Sequence, residues 1–414
     1  MNEADRIVIV GGGHAAAQLC GLLATAGMGA RVHLVCAEDE LPYQRPPLSK
    51  SFLKNPAEQP QPLRAEAWYA QSGITLHRGD PVLEIDRAQH RLQLRSGLAL
   101  HYGQLVLATG ARARRLAQLP SGLANVAALR SAADAERLRN LLAGATRLTV
   151  LGGGFIGLEI AAAARALGKD VLVLESAPRL LARSVSAELA GFVLATHRAS
   201  GIDMRLSAAV TGFEIEDEGV GDGVGKRLAT LTVDGRSEPV ELLVLGVGAE
   251  PETALALAAG LAVDAGGGVF VDEFMRSSDP AILAIGDCAS FPAPERQRLR
   301  LESVPNANDQ ARTAAATLAG RLEPHRALPS FWSEQGGLRL QMAGLLPDGT
   351  SSHRRPGATP ASFSLLHYLG AQLVCVESAN APMDHMAGRK LLEAGRSPEP
   401  AAACDGTVPL KSFI

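Results

Sequence analysis

Short, uninterrupted apolar runs alternate along the chain with helical stretches, and they recur twice in the same order. Ile7-Val8-Ile9-Val10 leads into Gly11-Gly12-Gly13-His14-Ala15-Ala16, an apolar helical stretch reaches Ala26, and Val32-His33-Leu34-Val35 precedes Glu38. Apolar runs this short, without polar alternation, predict strands buried on both faces, as in a parallel sheet with helical crossovers. The pattern returns in Leu148-Thr149-Val150-Leu151, Gly152-Gly153-Gly154-Phe155-Ile156-Gly157, a helical run to Gly168, and Val171-Leu172-Val173-Leu174-Glu175. Each copy has a late apolar strand ending in glycine, at residues 105–110 and 242–248, and residues 281–287 form another buried-strand run ending in Gly286-Asp287.

The expected fold is therefore α/β, with two Rossmann-like dinucleotide-binding domains, the second inserted in the first. Residues 1–112 with 246–320 make one domain and residues 113–245 the other. From residue 321 the pattern becomes mixed, with strands at 338–343 and 373–376 and a helix at 386–394, so residues 321–414 read as a C-terminal α+β domain. Residues 348–361, rich in Gly, Ser, Pro and Arg, read as a long hairpin loop, and residues 396–405 as a loose connection.

Strand, glycine turn, helix, strand and acid in this order make a site for a dinucleotide. Gly11 and Gly152 allow the tight turn, and Gly13 and Gly154 let the backbone approach a pyrophosphate. Ala16 and Gly157 are small enough for close helix packing. The helix N-terminus meets the anion with free N–H groups. Glu38 and Glu175 stand where a ribose hydroxyl would be held. One such fingerprint is weak; two, each between strands and each followed by its acid, point to two dinucleotides.

Composition narrows the function. The 414 residues are 47% hydrophobic and 20% charged, an ordinary globular balance. The formal charge of −3, with no long charged run, gives no support to a nucleic-acid surface or a polybasic membrane anchor. No apolar run is long enough to span a bilayer, and the charged start of the chain leaves no room for a signal peptide, so a cytoplasmic protein is expected. Cys20, Cys36, Cys288, Cys375 and Cys404 are odd in number and widely spaced, as reduced thiols would be. The ten histidines make no zinc-type pattern, and no protein-ligated metal is expected.

The chain resembles, over nearly its whole length, the FAD-dependent NADH:ferredoxin reductases of bacterial oxygenase systems, whether these serve Rieske dioxygenases or cytochrome monooxygenases. These belong to the glutathione-reductase-like flavoproteins. The resemblance rests on the first glycine turn, Pro42-Tyr43-Gln44-Arg45-Pro46-Pro47-Leu48-Ser49-Lys50, the segment from Gly152 to Glu159, Ala284-Ile285-Gly286-Asp287-Cys288-Ala289, Leu301-Glu302-Ser303-Val304-Pro305-Asn306-Ala307, and Phe331-Trp332-Ser333-Glu334-Gln335. It implies FAD in the first unit, NADH in the inserted one, and a [2Fe-2S] ferredoxin as the electron acceptor. By position it also implies that Arg45 and Lys50 lie beside the flavin and that Val82, Thr109 and Arg112 contact the cofactor. Asp287 would bind the ribityl chain, Val304 and Trp332 border the ring, and Glu159 meet the nicotinamide side. Relatives often carry a further acid at the position of Ala37, which leaves Glu38 as the candidate for the ribose. The disulfide-reducing branch needs two cysteines beside the flavin, and residues 42–50 contain none.

Within that resemblance Lys50 and Glu159 are expected to pair and to orient the nicotinamide carboxamide, against the plainer possibility of an ordinary interdomain salt bridge. Asp287 could equally cap a following helix, Trp332 could be covering surface, and His14 is a loop residue. Glu175 would favour NADH over NADPH, with Arg179 nearby as an opposing charge. Arg296, Arg298 and Arg300 offer a basic docking edge for an acidic iron-sulfur protein, or are merely edge charges. A rubredoxin or nitrite-system reductase, or an NADH-sensing flavoprotein like apoptosis-inducing factor, are the alternatives. The protein would be a monomer or homodimer with no nucleic-acid or membrane partner.

Overall fold

The computed structural model describes residues 5–220, 223–293 and 296–414. Residues 1–4, part of the charged start taken to exclude a signal peptide, lie outside them. Two compact units emerge. The first comprises Met1–Gln44, Pro60–Arg112 and Ala249–Pro329; the second comprises Arg45–Gln59, Ala113–Gly248 and Ser330–Ile414.

The first unit is built on a five-stranded parallel sheet in the order Ile282–Ala284, Gln104–Leu107, Ile7–Val10, Val32–Val35 and Thr75–His77. Ile7 pairs with Val32 on one side and Gln104 on the other, and all four residues of its strand are buried. Helices cover both faces of such a strand, which is why its sequence shows no polar alternation. The His14–Thr25 helix packs against the Val304–Leu318 helix. A three-stranded antiparallel sheet, Val82–Asp86, Arg91–Leu94 and Ala99–His101, completes the unit's main elements.

The second unit repeats the parallel sheet in the order Asp203–Arg205, Asp170–Leu174, Arg147–Leu151, Leu242–Leu245 and Val126–Ala128. It also holds a five-stranded antiparallel sheet in the order Ser330–Gln335, Leu338–Gly344, Gln372–Ala379, Phe363–Leu369 and Ser351–Pro356, with the Pro382–Glu393 helix packed on it. Leu158, Ile160, Val193, Leu340 and Phe363 share one apolar core, so the parallel sheet's helices and the antiparallel sheet are sealed together. Residues 45–59 join this unit through Leu53, which is buried in the same core, and Phe52, over whose ring the Arg139 guanidinium lies at 4.3 Å. Arg139 also donates to the carbonyls of Asn55 and Glu58 at 3.3 and 3.0 Å.

Two expectations need correction. The 348–361 stretch contains the Ser351–Pro356 strand, and the 396–405 connection contains the Pro400–Cys404 helix. The strand carries no apolar alternation because its one buried residue is Arg355, which donates to the carbonyls of Ala403, Asp405 and Val408 and pairs with Asp384 at 3.0 Å. A charged side chain can take a core position when every donor finds an acceptor, and hydropathy does not register this. Among the described residues no helix is long and apolar enough to cross a membrane.

Candidate functional site

Both glycine turns have the geometry that a dinucleotide needs. Gly11 has φ +122°, and a Cβ there would lie 2.2 Å from the Ala108 carbonyl oxygen. Gly152 has φ +111°, with a Cβ 2.4 Å from the Gly246 oxygen. Only glycine meets both demands, a backbone in the left-handed half of the map and a neighbouring strand end that occupies the Cβ position. Around Gly13 a Cβ would find nothing within 4 Å, and around Gly154 only the Gly246 oxygen at 3.9 Å. These glycines leave open space in front of the turn, where a pyrophosphate would approach, and no side chain caps the helix that either one starts. Ala16 is fully buried, whereas a Cβ at Gly157 would meet the Gly152 oxygen at 2.4 Å. On these grounds the residues of both turns fit FAD and NADH.

The acids are engaged differently. Glu38 accepts from the Tyr43 hydroxyl at 2.7 Å. Glu175 accepts from the backbone N–H of Gly153 at 2.6 Å and of Ala177 at 2.7 Å, so its carboxylate ties the turn to the end of its strand. Arg179 donates to the carbonyls of Ala182 and Val185, each at 2.7 Å, and serves its own loop.

In the first unit three neighbouring strand ends converge beside the turn. Thr109 follows Ala108, against which Gly11 is packed, and its hydroxyl donates to the Glu252 carbonyl at 2.5 Å. Gly286 has φ +79°, and a Cβ there would lie 3.3 Å from that of Ala15, which puts Asp287 next to the start of the first helix. Asp287 sits within a single 3-10 turn that leads into the Ala289–Ala293 strand, so it caps no ensuing α-helix, contrary to one of the roles open to it from sequence. Arg112 is exposed and pairs with Glu250 and Glu252, each at 3.1 Å. Val82 lies in the apolar core, and Val304 opens the helix capped by Ser303. His14 is the first residue of its helix.

The second unit brings Lys50 and Glu159 together. The Lys50 ammonium lies 2.7 Å from Glu159 Oε2 and also donates to the Pro46 carbonyl at 2.9 Å. Both residues belong to this one unit. Glu159 is only 4% exposed, and a buried carboxylate is tolerated where donors surround it. Ser49 supplies a second donor to Oε2, and Ser333 donates to Oε1 at 2.7 Å. Arg45 donates to the Arg130 carbonyl at 2.7 Å. Trp332 is half-buried, one residue before Ser333 on the Ser330–Gln335 strand.

Sequence reading missed Ser49, Ser333, Gln335 and His197. Gln335 donates to Ser333 Oγ at 3.1 Å and lies 2.7 Å from His197 Nε2. Beyond the motifs that carry the resemblance, the available signal was alternation, since Ser333 and Gln335 occupy the inward positions of a strand whose Phe331 ring lies tilted against Phe155, with centroids 4.5 Å apart.

The proposed docking arginines are largely occupied. Arg298 donates to the Val271 carbonyl at 2.6 Å and to the Ser290 carbonyl, and it lies 3.4 Å over the Phe270 ring. Arg300 pairs with Glu302 at 2.6 Å. The side chain of Arg296 lies outside the described residues. Cys36 sits beside the first turn, its thiol pushed up to about 12 by burial and by Glu38, and burial also raises Cys288. A thiol so raised is protonated and a poor nucleophile.

Two Rossmann-like sheets, each with its own glycine cradle, make the fold of a dinucleotide-binding oxidoreductase. Residues 5–311 match the pyridine nucleotide-disulphide oxidoreductase family, and residues 330–414 match the reductase C-terminal family. Rhodocoxin reductase of Rhodococcus erythropolis is 42% identical over 99% of this chain and 94% of its own length. The crystal structure of a ferredoxin reductase from Rhodopseudomonas palustris superposes with a TM-score of 0.91 at 40% identity, covering 99% of both chains. The reductase in the covalent putidaredoxin reductase–putidaredoxin complex superposes with a TM-score of 0.90 at 36% identity, covering 99% of this chain and 97% of that one. The chain belongs to the FAD-dependent, NADH-oxidising ferredoxin reductases within the pyridine nucleotide-disulphide oxidoreductase family.

Proposed function

We propose that this flavoprotein takes electrons from NADH and delivers them one at a time to a [2Fe-2S] ferredoxin serving an oxygenase, with FAD in the first unit and NADH in the second. Bound FAD would supply the two-electron to one-electron conversion. The observation that carries the reading is the pair of matched glycine cradles, one in each unit, each closed by the carbonyl of its own late strand. The absence of cysteine from residues 42–50 supports direct transfer to an external acceptor over an internal disulfide.

The chain's own groups would then act by positioning. Asp287 and Thr109 would hold the flavin's sugar chain and phosphates beside the first turn, with contacts from Val82, Arg112 and Val304. Glu38 would take the ribose on that side and Glu175 on the other. Lys50, fixed by Glu159 and the Pro46 carbonyl, would hold its ammonium beside the flavin, and Trp332 would offer an aromatic face to the ring edge. Hydride transfer demands such preorganisation, with reacting atoms about 3–3.5 Å apart. Residues 113–245 would be the nicotinamide domain and residues 321–414 a cover, and the cytoplasm fits five unpaired thiols.

The test is an anaerobic titration. The purified protein should be yellow with about one FAD per chain, bleach on addition of NADH, and regain colour with a supplied ferredoxin. A folded, colourless protein that takes up no FAD contradicts the reading. Flavin that NADH bleaches but no ferredoxin reoxidises points to the rubredoxin-type or sensing alternatives.

A further inference from the structure

Three buried side chains continue the Lys50–Glu159 pair away from Lys50. Ser333 is fully buried, Gln335 and His197 are each 3% exposed, and Glu159 is 4% exposed. The direction of every hydrogen bond follows from one fact, that a carboxylate paired with an ammonium only accepts. The proton of Ser333 therefore goes to Glu159 Oε1, 2.7 Å away, so Ser333 Oγ accepts from Gln335 Nε2 at 3.1 Å. That turns Gln335 Oε1 toward His197, and an amide oxygen accepts, so His197 Nε2, 2.7 Å away, carries the proton. The result is a one-way chain from His197 through Gln335 and Ser333 to Glu159, buried along its length.

The elements that carry the chain are themselves tied down. His197 lies in the last turn of the Ala187–Ala199 helix. At the other end of that helix the N–H of Ser186 donates to Glu377 Oε1 at 2.8 Å, and Glu377 also faces His367 at 3.0 Å. One antiparallel sheet thus grips the helix at both ends, through Glu377 and through Gln335. Burial holds the His197 imidazole below the ordinary histidine range, against the opposing effect of Gln335, which keeps it a neutral N–H donor near pH 7.

We infer that His197, Gln335 and Ser333 are positioning residues that aim the Glu159 carboxylate, and through it Lys50, for transfer from NADH. This rests on the reading of Glu159 as the nicotinamide-side carboxylate. Removing a link should misorient Glu159 without opening the nucleotide cradle, since Gly152, Gly154 and Glu175 are untouched. Ser333→Ala should slow the limiting rate of flavin reduction by NADH about tenfold, the equivalent of one hydrogen bond to a charged group, and His197→Leu, which loses a bond to a neutral amide, should slow it about threefold. The NADH Kd should change less than about twofold. His197→Gln, whose amide nitrogen reaches about as far as Nε2 and still donates, should recover most of the rate.

A second measurement reads the chain without turnover. In the flavin-loaded protein with 15N-labelled histidine, His197 should be the Nε2–H tautomer with a slowly exchanging proton. Ser333→Ala, two hydrogen bonds away, should shift its resonance. An Nδ1–H tautomer, or wild-type reduction rates in both Ser333→Ala and His197→Leu at full flavin content, overturns the inference. If His197→Leu does not retain flavin, Ser333→Ala and the wild-type tautomer decide it. A wild-type flavin that NADH cannot reduce overturns the functional reading instead, and the resonance shift still judges the chain.

Discussion

In the first unit the acid after the second strand accepts from a side chain five residues on, Tyr43, whereas in the second unit Glu175 accepts from the backbone of the glycine turn itself. The turns differ to match. A Cβ on Gly12 would meet the Cys36 sulfur at 3.0 Å, and one on Gly153 would meet Leu180 at 2.5 Å and Glu175 Oε2 at 3.1 Å. The first unit accommodates the methyl of Ala16 where the second requires Gly157, whose Cβ would strike the Gly152 oxygen. Two copies of one motif thus show which parts are dictated by the strand–turn–helix geometry and which are tuned. The first glycine is dictated in both, while the third small residue and the partner of the acid are tuned.

The largest effects should come from the dictated positions. Gly11→Ala and Gly152→Ala each combine a backbone strained by about 1–3 kcal/mol with a clash against a carbonyl that cannot rotate away. Gly11→Ala should be isolated with little flavin, and Gly152→Ala should keep its FAD but bind NADH at least tenfold more weakly, roughly the loss of 1.4 kcal/mol. Flavin loss from Gly152→Ala with retention in Gly11→Ala would reverse the assignment of the two units. Next come the acids. Glu175→Ala removes the acceptor of two backbone N–H groups, so KM for NADH should rise about tenfold, from hydrogen bonds to a charged group worth about 1.5 kcal/mol or more, and the preference over NADPH should narrow. Glu38→Ala should weaken FAD retention and leave that preference unchanged. Equal effects from both would end the distinction between the two acids.

Smaller changes separate stability from docking. Arg298→Ala should lower the unfolding midpoint, since it frees the carbonyls of Val271 and Ser290, and should reduce ferredoxin and ferricyanide turnover equally. A loss confined to ferredoxin, and one that weakens with salt, would return Arg298 to a docking surface. A pH effect should appear in both units. His325 in the first and His385 in the second are pushed by burial from 6.5 to about 4. The unfolded chain then takes up these protons before the folded one does. The stability they contribute is complete above pH 6.5 and is lost as pH falls toward 4. His325→Phe should make the fall of the unfolding midpoint in that window shallower, and an unaltered slope would mean that the ring is solvated. The smallest effect belongs to Cys36→Ala. Turnover per bound flavin should hold, and a large loss at full flavin content would revive a cysteine-based path.

Both glycine turns, both acids and the apolar strands beside them were legible in the sequence because their constraints are local. A parallel strand buried on both faces needs an unbroken apolar run, and a tight turn against a neighbouring carbonyl needs glycine, whatever the rest of the chain does. Lys50 and Glu159 were legible only through the resemblance, because 109 residues separate them and no period links them. The Ser351–Pro356 strand was lost to a loop for a related reason, since its buried Arg355 is satisfied by carbonyls some 50 residues away.

The sequence by itself therefore determined the class of fold, the repeat of the dinucleotide unit, the chemistry of its two turns and the lack of a cysteine pair beside the first. Only the tertiary structure decided which unit takes residues 45–59, what Glu175 and Arg298 hold, and which groups surround the Glu159 carboxylate. The reason is one of range. Backbone sterics and hydrophobic burial act on neighbours along the chain and leave a periodic trace. A buried charge must find its donors wherever the fold brings them, and here Ser49, Lys50 and Ser333 reach Glu159 from two distant segments.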